Sequence, residues 1–98
     1  MTDDAYRYIL DHIAPPVLDD FIKKSHDYGE TFKELGTKGQ FSDMYRKVGK
    51  LKRAIWDEYE LAGEQPAELA ADIIGHCLLM IFLIGEEEGH EYLGRRRD

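Results

Sequence analysis

Glu68, Asp72 and His76 recur at every fourth position inside ELAADIIGHCLLMIFLIG (68–85), the most apolar stretch of the chain. On a helix, that spacing stacks the three side chains along one line. Leu79 and Leu83 continue the line as purely apolar surface, so Asp72 falls where a polar helix end gives way to a dry one. An ionised carboxylate in such a place needs a cation, a metal ion or several hydrogen-bond donors. Lys47 and Lys50 are the available cations, beside the apolar stripe of the preceding helical segment, with Asp43 one turn before Lys47. Two chemistries fit. One is a row of salt bridges that fixes the register of two antiparallel helices and binds nothing. The other is a cleft lined by acids and bases that holds phosphates, through the lysines directly or through a metal ion on the carboxylates. Mg²⁺ suits the metal version, because it takes oxygen ligands and bridges carboxylates to substrate phosphates. His76 itself reads more readily as a hydrogen-bonded core histidine than as a metal ligand.

A second group lies in KKSHDYGETFKELG (23–36), where His26, Asp27 and Tyr28 precede Gly29 at a helix end. Three polar or amphipathic side chains at a terminus line clefts in many proteins. They serve equally well as a capping and hydrogen-bonding cluster. Ser25 beside His26 is no catalytic pair, since adjacent helical residues point in different directions. The chain has no Gly-rich phosphate loop, no HExxH and no nucleophile elbow.

The elements that must position these residues read as all-α. Thr2 before Asp3 and Asp4 is a helix start, with acids at the positive end of the dipole. Ile9, Leu10 and Ile13 give that helix a short apolar face, and Ala14-Pro15-Pro16 is expected to end it. Val17, Leu18, Phe21 and Ile22 mark a second helix that stops near Gly29. ETFKELG forms a helical turn closed by Gly36, and TKGQ is expected to be loop. Ser42 caps a long third helix whose stripe is Met44, Val48, Leu51, Ile55 and Tyr59, with Lys52 in the middle of the apolar arc as a snorkelling cation or a partner contact. After AGEQP, with Pro66 in a first-turn position, the fourth helix runs from about Ala67 to Ile84, apolar around most of its circumference. The expected architecture is a small bundle of four main helices plus a short helical turn, one domain over 1–98, with 85–98 as a charged tail.

Ninety-eight residues with 43% hydrophobic and 34% charged content suit one modest core. A net charge of −7 disfavours nucleic acid and anionic membranes as partners, and the basic GRRRD end (94–98) reads as a solubilising tail. Cys77 is the only cysteine, which rules out an intrachain disulfide and a cysteine-based zinc framework and fits a reducing compartment. MTDDAYRY lacks the pattern of a secretion signal. The longest apolar run, interrupted by Gly75 and His76, is shorter than the roughly 20 residues of a membrane span. The expectation is a soluble, cytoplasmic protein. So small a chain with so apolar a helix is also expected to form a dimer or higher homo-oligomer.

KKSHDYGETFKELG, then K-x-x-K-L (Lys47, Lys50, Leu51), then E-x-x-x-D-I-I (Glu68, Asp72, Ile73, Ile74) resemble the nucleotide modification associated domain 1 family, small helical proteins of phages and bacteria. The likeness covers roughly residues 18–84. That family is similar to the all-α nucleoside triphosphate pyrophosphohydrolases of the MazG and dimeric dUTPase type, which hold Mg²⁺ with EExxE on one helix and ExxD on the next. The resemblance implies that Asp72 and Glu68 take the second acidic position. It implies that Lys47 and Lys50 stand where the first acidic cluster would be, and that His26, Asp27 and Tyr28 line the same cleft. Two departures matter: RKVGKLKRAIW replaces EExxE, and Glu68 and Asp72 are four apart rather than three. The likeness therefore favours nucleotide binding over hydrolysis. As an enzyme, the protein would use Glu68 and Asp72 to hold Mg²⁺ for attack of water on a nucleoside phosphate, with the lysines neutralising developing charge. As a binder, it would sequester a nucleotide signal or regulate a partner in the same cleft. As a structural module, it would use the charged seam for register alone.

Overall fold

The computed structural model describes residues 1–89 and is all-α, with no strand among them. Helix α1 (Asp3–Tyr8) begins where Thr2 Oγ1 accepts the Ala5 N–H at 3.3 Å, with Asp3 and Asp4 in the first turn. It does not end at the prolines. A π-helical turn (Ile9–Ile13) carries it directly into α2 (Ala14–Tyr28), giving one long rod. The widened turn explains the continuity. Ala14 N–H reaches back five residues to the Ile9 carbonyl, which shifts the register just before two rings that have no N–H to donate.

Gly29 closes α2, and α3 (Phe32–Ile55) follows almost at once. The helical turn closed by Gly36 is present, but it is joined to the long helix. Gly36, at φ 63° and ψ −154°, makes a sharp bend that L side chains resist, and helix resumes through TKGQ instead of loop. The Thr37 hydroxyl donates to Glu87 Oε1 at 3.0 Å and so ties the bend to α4. At the other end α3 stops at Ile55. Glu58 takes a left-handed φ of 56°, and Tyr59 turns back with its ring 4.1 Å from the Arg53 guanidinium, off the stripe expected for it.

Helix α4 (Pro66–Glu88) starts with the expected first-turn proline, runs one turn past Ile84 and ends at left-handed Gly89. The GRRRD segment lies outside the described residues. At 23 residues, α4 is long and apolar enough by length and composition to cross a membrane, because its ends extend the interrupted apolar run. In the fold, however, Asp72, His76 and Glu87 are engaged by α2 and α3. Contacts along the α3–α4 pair run Thr37 to Glu87, Gln40 to His76, Met44 to Cys77 and Lys47 to Asp72, which makes the two helices antiparallel. Cys77 Sγ packs 3.7 Å from Met44 Sδ, as a small hydrophobe would.

Helix α2 lies across this hairpin. It comes close to α4 at Gly75, where an added Cβ would lie 3.2 Å from the Phe21 ring. Leu69 and Leu83 are the buried hydrophobic side chains among the described residues, so most large apolar groups remain partly or largely exposed.

Candidate functional site

The angle between α2 and the α3–α4 hairpin leaves a cleft of about 500 Å³ bounded by all three helices. Its apolar walls include Phe21, Phe32 and Leu79, and its polar wall carries Lys24, Lys47, Asp72, Gln40 and His76. Asp72 is the junction. One carboxylate oxygen accepts from Lys24 of α2, and the other accepts from Lys47 of α3 at 3.1 Å. Its side chain is only 19% exposed, and Lys47 is 29% exposed. Burial alone would push the Asp72 carboxyl up, but hydrogen bonds from Lys24 and Lys47 outweigh it and hold the group below the usual carboxylate range. The hydrogen bond from its ammonium to Asp72 raises Lys24 in turn. Two cations on one carboxylate leave one positive charge in excess at that junction, while Asp20, Glu34 and Asp43 also line the cleft, together with Arg46.

One turn further along α4, His76 Nδ1 stands 2.7 Å from Oε1 of Gln40, a polar side chain only 6% exposed. Burial pushes the His76 imidazole below its ordinary value, and Lys47 adds to that against the opposing field of Asp43, so the ring is neutral near pH 7. Gln40 reaches this position because α3 continues through TKGQ. It lies one turn before Met44 on the face that continues to Lys47 and Leu51.

The sequence-predicted residues divide. Asp72 and Lys47 meet as expected, and Tyr28 lines the mouth of the cleft while remaining largely exposed. His26 and Asp27, two and one residues before Tyr28, are exposed and do not line it. Lys50 turns away to Glu64 in the α3–α4 connection, at 2.5 Å, and that bond holds the Glu64 carboxyl below its usual range. Glu68 is exposed, outside the cleft, and has no ion pair among the described residues. The reason is helical geometry. A four-residue step rotates about 40° around the axis, and by Glu68 the line has moved off the crossing point with α2.

Sequence reasoning missed Lys24, Gln40 and Arg46. Lys24 sits one turn after Phe21 on the face of α2 that meets the hairpin. Arg46 lines the cleft but is satisfied by Asp43 at 2.8 Å. The signal for Gln40 was its place on the inward stripe of α3, obscured by the two glycines that precede it in GTKGQ.

These donors do not fit Mg²⁺. Both Asp72 oxygens are taken by ammonium groups, Glu68 is elsewhere, and no group of three His, Cys, Asp or Glu suitable for a metal ion occurs among the described residues. A dication would have to displace two cations to reach one carboxylate. No family model, no curated protein and no solved structure matches the chain. The likeness to the nucleotide modification associated family therefore rests on the residues quoted above.

Proposed function

We propose that this protein binds a nucleoside phosphate or a related phosphorylated small molecule in the cleft, as a non-catalytic binder. The observation that carries this reading is the convergence of Lys24 and Lys47 on one carboxylate at the cleft wall. Each ammonium has three donors and spends one or two on Asp72, so the pair keeps free N–H groups for an incoming anion, against the opposing charges of Asp20, Glu34 and Asp43 on the same lining. A volume of about 500 Å³ is of the size small-molecule sites have, and the apolar walls supply the rest of such a site. Hydrolysis through Mg²⁺ on Glu68 and Asp72 has no support from the donor set, so sequestration or regulation is the favoured role. A purely structural role has one observation behind it: the single Asp72 carboxylate ties both α2 and α3 to α4.

Thermal shift against a panel of nucleoside mono-, di- and triphosphates, with and without Mg²⁺, separates the readings. Binding predicts a rise in Tm with at least one member that grows with ligand concentration. No rise with any member would leave the structural module.

The protein also associates with a second copy in this account. On α3, Phe41, Tyr45, Val48 and Ile55 form an exposed stripe at helical spacing, with Lys52 inside it; on α4, Ile74, Ile81 and Phe82 are exposed as well. At on the order of 100 Å² per half-exposed large side chain, these seven supply about 700 Å², most of the roughly 800 Å² per partner of a standard interface. Light scattering on the eluted protein should give at least twice the 11.4 kDa chain mass; a monomer would refute this. A soluble, cytoplasmic location goes with this proposal, since association covers the apolar faces and Asp72 and His76 already hold the middle of α4 against polar neighbours.

A further inference from the structure

Gln40 is more than nine-tenths buried, lines the cleft, and uses only its carbonyl oxygen: Oε1 meets His76 Nδ1 at 2.7 Å. Its amide nitrogen, with two N–H groups, has no partner among the described residues. Neither does His76 Nε2, on the opposite side of a ring that also lines the cleft. A buried amide left without an acceptor costs about 1–3 kcal/mol, so such a group points to something that completes it.

The two orphaned atoms are coupled. With the proton on His76 Nδ1, Gln40 Oε1 accepts it, the Gln40 NH₂ is a free donor, and His76 Nε2 is a free acceptor. If the Gln40 amide turns over and the proton moves to Nε2, the roles exchange together: Gln40 offers an acceptor and His76 a donor. In both arrangements the pair offers one donor and one acceptor, at separate points of the cleft wall, because the two ring nitrogens of an imidazole point in diverging directions. Its complement is a ligand that carries both an acceptor and a donor. A phosphate or carboxylate, which carries acceptors only, does not match that pattern, and neither does a hydrocarbon. Nitrogen heterocycles with lactam or amidine groups do, since they carry N–H donors together with C=O or ring-nitrogen acceptors. Phe21, whose ring lies against Gly75 next to His76, gives a planar group an apolar surface at the same place.

We infer that Gln40 and His76 form the specificity end of the cleft, reading donor and acceptor groups of a planar nitrogen heterocycle such as a nucleobase while Lys24 and Lys47 hold its phosphate. The inference rests on the phosphate-binding reading for the second half of the ligand only. The heterocycle half stands on Gln40 and His76.

Calorimetric titration of the intact protein with uridine triphosphate, 3-methyluridine triphosphate, uridine and inorganic tripolyphosphate tests it. Methylation at N3 removes the donor and leaves the acceptors, so 3-methyluridine triphosphate should bind roughly tenfold or more weaker than uridine triphosphate. Gln40→Leu/His76→Leu, which removes both groups that could accept the N3–H, should erase that difference. Equal affinity for the two nucleotides in the wild type, or an undiminished difference in the double variant, would overturn the inference. The methylated ligand keeps the wild-type comparison decisive even if the variant does not fold. Tripolyphosphate bound without discrimination between bases refutes this inference and leaves the phosphate reading. Uridine bound while tripolyphosphate is ignored does the reverse.

Discussion

Lys47 and Lys50 stand three residues apart on the same helix, and both pair with a carboxylate, yet they belong to different regions. Lys47 turns into the crossing of three helices, where Asp72 is mostly buried and shared with Lys24. Lys50 turns to the connection before α4, where it is 49% exposed and Glu64 is its one partner among the described residues. The first region is an electrostatic knot that ties three helices together at the wall of a cleft. The second is a surface pair, screened by water and salt. Spacing alone gives both lysines the same value. What separates them is distance from the point where α2 crosses the hairpin.

The widest gap between the regions should appear on removing the acid. Asp72→Ala leaves two ammonium groups facing each other at a partly dry wall. It should cost about 2 kcal/mol, less than the 3–5 kcal/mol of a fully buried pair because Lys24 is half exposed. Glu64→Ala should leave the urea midpoint where it is. Equal losses in the two variants would erase the distinction.

Glycine gives a second contrast, of opposite signs. A methyl at Gly75 would press to 3.2 Å from the Phe21 ring, so Gly75→Ala should destabilise by about 1–2 kcal/mol. Gly49 has open space around its Cβ position, and Gly49→Ala should stabilise α3 by about 0.5–1 kcal/mol. Both are read from denaturant midpoints, and a stabilising Gly75→Ala would mean that α2 does not cross there.

The smallest expected effect is the pH dependence. The folded-state values of His76 and Asp72 are both depressed, so the unfolded chain takes up their protons first. His76 contributes stability above its unfolded value of about 6.5 that is lost as pH falls below it. Asp72 contributes above 3.8 and loses its share as pH falls further. Stability should therefore decline in two stages on acidification, and His76→Gln should remove the upper one. A decline that begins only near pH 4 would place His76 in water.

Much of the fold was legible in the sequence because it depends on local periodicity and end signals. The Thr2 start, the first-turn Pro66, the bend at Gly36 and the line from Asp72 to His76 all follow from neighbours a few residues apart. What was hidden depends on contacts across the chain. Pro15 and Pro16 read as a break because a five-residue hydrogen bond from Ala14 leaves no local signature. TKGQ reads as loop because glycine disfavours helix, whereas burial of Gln40 against His76 keeps it helical. Lys24 stood inside a quoted motif and was passed over, since only the crossing of α2 at Gly75 brings it to Asp72. Glu68 was overvalued for the converse reason: its spacing is right, but no helix crosses at that turn.

The central claim is that Lys24 and Lys47 together make the cleft an anion site. Calorimetric titration of a nucleoside triphosphate into the wild type and into the Lys24→Met/Lys47→Met variant, with helical content checked by circular dichroism, tests it most directly. The account predicts saturable binding by the wild type and at least a tenfold loss in a variant that stays helical. Binding of equal strength by both proteins, or by neither, would contradict it.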